Sequence, residues 1–246
     1  LLSNRFQSSK GTWISSADFG VRFICVKEGK MQSIDFTPQN GKLLDTHKLN
    51  IQEDDKNNIW IASDKGVNLI TPDFKSRVIL KNKKIKVMTC DGSHIALLTD
   101  KGEAFLYNDH AQLIKHSQLP SMLGFVGKSR ASFFWQGWWY IFTQEETFAM
   151  DLKTGQFHKP AIQIPNAMDK NQLKSYHFLY DKQGNAYLFD KKSALFKKFH
   201  LLDNPTYINA RDKNFVAAES KDKKVYITSY GSGFFVYDTK TDILQQ

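Results

Sequence analysis

Seven histidines, a basic excess and one dense tryptophan cluster are the residues of this chain that could do chemistry. The histidines (His47, His94, His110, His116, His158, His177 and His200) show no metal-ligand spacing. There is no nucleophile elbow, P-loop, dinucleotide fingerprint or H-E-x-x-H pattern. The acidic run Glu53-Asp54-Asp55 before Asn57-Asn58 lacks the alternating ligands and glycine of a calcium loop, and reads as a hairpin turn. Cys25 and Cys90 have no C-x-x-C spacing and read as small buried hydrophobes rather than a disulfide framework. No catalytic group, cofactor or metal ligand is assigned.

Charge is the stronger signal. The net charge is +9, much of it in runs such as Lys81-Asn82-Lys83-Lys84, Lys197-Lys198 and Lys221-Asp222-Lys223-Lys224. Such runs form solvated turns and sheet edges, where Lys discourages edge-to-edge pairing, or they attract an anionic partner. Aromatics do not interleave with them as in a single-strand platform, so nucleic acid is not expected as a partner. A sulfated or uronic-acid glycan and a membrane surface are the other anionic partners that such runs could attract. Trp135, Trp138 and Trp139 could stack on sugar rings, although Gly137 between them marks a tight turn and packing in the core accounts for at least Trp139.

These residues must be positioned by a repeated element. A polar turn, an apolar strand carrying an aromatic, another turn and another strand recur as SSKGTWISSADFGVRFICV (8–26), DDKNNIWIASDKGVNLI (54–70) and DGSHIALLTDKGEAFLY (91–107). They return as WQGWWYIFTQEETFAMD (135–151), DKQGNAYLFDKKSALFKKF (181–199) and SKDKKVYITSYGSGFFVYD (220–238). A period of about forty residues with strand-type copies predicts an all-β fold, a β-propeller of about six four-stranded blades. The blades are expected at approximately 3–38, 45–82, 84–118, 128–163, 174–208 and 213–246, in a single domain, with the array either complete or part of a larger seven-bladed or tandem propeller. Blade 5 is assigned YHFLY, AYLFD and ALFKKF as its first three strands and a poor fourth near Tyr207, while Ile164–Lys174 could hold a turn of helix.

Hydrophobic content of 41% and aromatic content of 13% supply a core and argue against disorder. No apolar run approaches the roughly 18–20 residues that cross a bilayer as a helix. The chain opens on Leu1 almost inside a strand, which predicts a piece of a longer protein.

Propeller sites assemble from one turn per blade, so candidates are positional. Turns between second and third strands should ring one face with Asp18, Asp64, Lys65, Asp100, Lys101, Gln144, Glu145, Asp190, Lys191 and Tyr230. Arg5, Lys48, Lys86, Arg130, His177 and Arg211 should lie near inner-strand starts. The ligand-binding set drawn from these and the tryptophans is Arg5, Asp18, Lys65, Lys101, Arg130, Trp135, Trp138, His177, Arg211 and Tyr230.

The phrase D-x-x-G/N-x-[I/V]-[W/Y]-I-[A/T]-[S/T]-x-x-G-[V/F] resembles the two-component regulator propeller repeat. Asp55-Lys56-Asn57-Asn58-Ile59-Trp60-Ile61-Ala62-Ser63-Asp64-Lys65-Gly66-Val67 matches it best, followed by 222–234 and by Ser9-Lys10-Gly11-Thr12-Trp13-Ile14-Ser15-Ser16. The resemblance implies the periplasmic sensor region of a hybrid two-component histidine kinase. It implies an oligosaccharide from polysaccharide breakdown as input, other domains of the parent sensor as neighbours, a homodimer in the full-length protein, and membrane contact only through the parent's transmembrane helix. A propeller enzyme such as a lyase, with His177 beside a carboxylate, and a protein-interaction scaffold are the alternatives.

Overall fold

The computed structural model describes residues 2–120, 132–143, 146–160, 163–164, 168–173, 175–180, 185–193, 195–201, 215–220, 222–229 and 233–245. The described residues form six four-stranded antiparallel meanders and no helix. Blade 1 comprises β1 (Leu2–Gln7), β2 (Thr12–Ser16), β3 (Gly20–Lys27) and β4 (Lys30–Phe36). Blade 2 has β5 (Asn50–Glu53), β6 (Ile59–Ser63), β7 (Gly66–Ile70) and β8 (Ser76–Lys81); blade 3 has β9 (Ile85–Cys90), β10 (His94–Thr99), β11 (Glu103–Asn108) and β12 (Leu113–Gln118). Blade 4 has β13 (Ser132–Trp135), β14 (Trp138–Phe142), β15 (Thr147–Asp151) and the short β16 (Phe157–His158). Blade 5 has β17 (Met168–Gln172), β18 (Tyr176–Tyr180), β19 (Asn185–Asp190) and β20 (Phe196–His200); blade 6 has β21 (Phe215–Glu219), β22 (Lys224–Ser229), β23 (Gly233–Asp238) and β24 (Ile243–Gln245).

Burial follows strand rank. β6 and β7 are buried throughout, whereas the outer β8 is half-buried to exposed, because the middle strands of a blade have neighbours on both faces. Glycine opens β3 and β7 for a steric reason. A Cβ on Gly20 would come within 2.6 Å of Phe36 O, and one on Gly66 within 2.0 Å of Leu80 O, both at positive φ.

Contacts group the chain into two compact units. The first contains Leu1–Met122, Gln136–Trp139 and Met150–Phe157. In it, Trp13, Val21, Phe23 and Phe36 of blade 1 pack with Ile51, Ile59, Ile61 and Ile70 of blade 2, and Trp60 and Leu69 of blade 2 pack with Ile95, Leu97 and Tyr107 of blade 3. The second unit buries Phe133 and Phe142 of blade 4 with Leu179, Tyr187 and Phe189 of blade 5, and Phe178, Tyr180 and Leu188 of blade 5 with Val225, Ile227 and Tyr237 of blade 6.

Blade 5 corrects the sequence reading. Its first strand is Met168–Gln172, inside the segment expected to turn helically, so Tyr176–Tyr180 becomes its second strand and Asn185–Asp190 its third. The run MDKNQ is polar and poor in β-formers. It becomes a strand by pairing with β18, from Met168 opposite Tyr180 to Gln172 opposite His177, which no local propensity announces. The fourth strand expected near Tyr207 lies outside the described residues, and β20 takes that place in the sheet.

Candidate functional site

The turns from second to third strand are built by a hydroxyl at the end of the second strand. Ser63 Oγ accepts from Lys65 N at 3.2 Å and donates to Gly66 O at 3.1 Å. Thr99 Oγ1 accepts from Lys101 N and Glu103 N, Ser16 Oγ from Asp18 N, and Thr143 Oγ1 from Glu146 N. A side-chain oxygen that holds the backbone two or more residues on closes a tight turn and leaves the residues at its tip facing solvent. The repeat motif carries this Ser or Thr in its [S/T] slot, and the structure gives it its role in the turn.

In the first unit this brings two candidates together. Lys65 and Lys101 are exposed on the β6–β7 and β10–β11 turns. Between them lies the run Lys81-Asn82-Lys83-Lys84, tied to one turn by Asn82 N to Lys65 O and to the other by Asp100 N to Lys84 O, both 2.9 Å. The connection from β4 to β5 adds Lys48. Asp64 Oδ2 lies 3.5 Å from Lys48 Nζ and 3.8 Å from Lys84 Nζ, and Lys83 Nζ is 2.6 Å from Glu103 Oε1. That hydrogen bond from Lys83 holds the Glu103 carboxyl below the usual carboxylate range. Six lysines (Lys48, Lys65, Lys81, Lys83, Lys84, Lys101) thus gather with four carboxylates (Asp45, Asp64, Asp100, Glu103) on these connected turns, leaving them net cationic. Lys86 falls at a bulge in β9, where Val87 and Ile85 pair with Leu98 and Thr99.

A pair beside Lys65 was not singled out from the sequence. His47 Nδ1 lies 3.2 Å from Asp45 Oδ1, with the imidazole 70% exposed and the carboxylate 8%. Burial pushes Asp45 upward, but the His47 ring, the Thr46 N–H and the charge of Lys65 together hold it below its ordinary value. The D-x-H spacing alone carries no such signal. Burial of Asp45 by the loop that also buries Leu43 and Leu49 decides it.

Other predicted residues go elsewhere. Arg5 is exposed on β1, and Asp18 is exposed on the β2–β3 turn. Trp138 is half-buried. Trp135 is committed to packing: its ring meets Phe189 edge-on at 5.2 Å and its Nε1 donates to Lys191 O at 3.0 Å. Trp139 is fully buried and donates to Thr89 Oγ1 at 3.2 Å. His177 is not near an inner-strand start. It is the second residue of β18, at the end of blade 5 away from its second-to-third turn, opposite Phe189 in register. There it stacks on Phe133 at 3.9 Å, and its buried Nδ1 has no hydrogen-bond partner among the described residues. Burial pushes this imidazole down to about 3, with the Lys191 charge adding to the effect. The His177–carboxylate pair that a lyase would need is not formed among the described residues. Asp190 ends β19 and Lys191 follows it, at the third-to-fourth connection, displaced by the one-strand shift of blade 5. Gln144, Glu145, Arg130, Arg211 and Tyr230 lie outside the described residues.

A rim of ammonium groups on rigid turns can bind and orient anions. The fold that carries it is a β-propeller of six four-stranded blades. No protein-family model matches the sequence, and no curated protein is similar to it. Among solved structures, the chain is similar to the extracellular domain of BT4673 from B. thetaiotaomicron, named a one-component system in one structure and a hybrid two-component system in another (13% identity, TM-scores 0.66 and 0.65, covering 100% of this chain and 36% of that one). It is similar also to the extracellular domain of the hybrid two-component system BT3049 from the same organism (12%, 0.59, 99% and 34%) and to apo AztD from Citrobacter koseri (10%, 0.64, 100% and 71%). At 10–13% identity these likenesses show the propeller fold. The chain spans about a third of the length of those domains. Matches number 974 chains, so the architecture alone fixes no function.

Proposed function

We propose that this chain is a non-catalytic, extracytoplasmic ligand-binding propeller of a two-component signalling protein, and that it takes an anionic oligosaccharide, sulfated or uronic, at the lysine rim of blades 2 and 3. The observation that carries the ligand class is the excess of six lysines over four carboxylates, held on turns whose backbones are tied to one another. Binding by ammonium groups at a rigid rim stores no chemistry; it favours one arrangement of the propeller relative to its neighbouring domains, and a signal is that shift in population. A periplasmic setting, a membrane helix in the parent and a homodimer of the full-length protein belong to the same reading.

Calorimetric titration tests it. Sulfated or uronic oligosaccharides should bind, neutral oligosaccharides of equal length should not, and the affinity should fall as salt rises. Equal heats for charged and neutral sugars, or none for either, would remove the rim from consideration.

A further inference from the structure

The outer hairpin of blade 1 outgrows its sheet. β3 and β4 have 8 and 7 residues, against 5 and 6 for β7 and β8 and 6 each for β11 and β12. Pairing of β2 with β3 stops at Ile24 opposite Thr12, so Cys25–Lys27 pairs with β4 alone and the hairpin leaves the blade as a two-stranded ribbon. Its turn is pre-organised: Glu28 and Gly29 both have positive φ, 53° and 72°, the conformation of a two-residue type I′ hairpin. Val26 and Met31 lie directly opposite one another on one face of this ribbon. They are the most exposed large apolar side chains among the described residues, at 74% and 77%. Lys27 lies opposite Lys30 on the other face, a like-charge pair that weakens the ladder.

The turn itself carries Lys27, Glu28 and Lys30, all exposed, for a net charge of +1, and an apolar pair beside a net positive turn matches a surface that is oily inside and anionic outside. We propose that the ribbon at Val26–Met31 docks on an anionic lipid surface, the valine and methionine entering the acyl boundary while Lys27 and Lys30 meet headgroup phosphates. Two side chains fall far short of the ~1,000 Å² that a specific protein interface needs. A second copy docking tip to tip would set one net positive turn against another. A membrane requires neither area nor shape, only depth and charge, and long Lys stems reach outward while apolar neighbours go inward. The inference does not depend on the lysine rim or on its proposed ligand.

The test is co-sedimentation of the whole chain with vesicles of phosphatidylcholine alone or with about a third phosphatidylglycerol. The chain should pellet with the anionic vesicles only. Val26→Ser/Met31→Ser, which leaves every charge in place, should cut binding about fivefold or more, as should Lys27→Ser/Lys30→Ser. Lys153→Ser/Lys240→Ser, which removes the same charge elsewhere, should cut it less than twofold. If the Val26/Met31 variant binds as well as the parent, attraction is bulk charge and the proposal is overturned. If neither vesicle binds, it is overturned in favour of an acidic protein surface. Since the serine variants could perturb folding, Val26→Trp supplies a second readout: its emission should shift to the blue with anionic vesicles, and an unshifted spectrum overturns the docking.

Discussion

The indole N–H of Trp60 donates to the carboxylate of Asp54 at 2.7 Å, both residues buried. The same carboxylate accepts from the backbone N–H of Lys56 and Asn58 and from the Asn58 side chain. The repeat motif read from sequence begins at Asp55, but the residue that organises the hairpin is Asp54, and Asp55 is exposed. Blade 1 does the same with a hydroxyl, Trp13 Nε1 donating to Ser8 Oγ at 3.1 Å. Replacing Asp54 by Ala would strand several buried donors, each worth about 1–3 kcal/mol. Asp54→Ala should lower stability by roughly 3 kcal/mol or more, and Asp55→Ala by less than about 1 kcal/mol. Urea midpoints of the two variants give the comparison, and equal shifts would count against Asp54 as the anchor.

Acid sensitivity should trace to His177. Its imidazole is held down at about 3 in the fold against 6.5 when unfolded, so the unfolded chain binds the extra proton between those values. The contribution is complete above pH 6.5 and is lost as pH falls toward 3. At pH 4.5 the loss is at most about 2.7 kcal/mol, at ~1.4 kcal/mol per pKa unit. His177→Phe keeps an aromatic ring against Phe133 and has nothing to protonate. Its drop in melting temperature between pH 7 and 4.5 should be several degrees smaller than that of the parent, and an identical drop in both would assign the acid sensitivity to other groups.

The lysine rim predicts a charge-reversal phenotype. Lys65→Glu/Lys101→Glu changes exposed turn residues and should leave the melting temperature within a few degrees, while lowering affinity for a sulfated oligosaccharide about tenfold or more at low salt. Lys192→Glu, an exposed control after β19, should change it less than about threefold. Titrations at two salt concentrations separate the two variants.

Asn68 predicts how the rim is held. Buried in β7, it accepts from Leu44 N at 2.9 Å and donates to Lys42 O at 3.3 Å, pinning the connection that delivers His47 and Lys48. Ser76 Oγ adds a bond to Lys42 O. Asn68→Ala leaves the Leu44 N–H unsatisfied and should cost about 1–2 kcal/mol. Amide exchange across 43–49 should speed up more than in β6, and uniform protection would show that the loop holds itself.

Much of this was legible in the chain because a blade is a local object. Alternation of apolar and polar residues, with Gly, Asp and Lys between the runs, marks hairpins whose partners are neighbours in sequence, so the quartets of blade 2 or blade 3 need no distant information. Where local propensity and pairing disagree the reading slipped by a strand, as at Met168–Gln172, whose polar side chains hide a strand that exists only through β18.

The order of strands within most blades, the Ser or Thr that closes the second turn of blades 1 to 4 and the excess of lysine belong to the amino-acid sequence by itself. Which residues share a site does not. Tertiary structure set Lys65 and Lys101 on either side of the Lys81–Lys84 run, spent Trp135 on Phe189, and placed His177 in an aromatic stack with no partner for its Nδ1. The reason is physical: a turn's conformation comes from a few adjacent dihedrals and hydrogen bonds, whereas proximity between turns comes from the packing of one sheet on the next, to which distant residues contribute jointly.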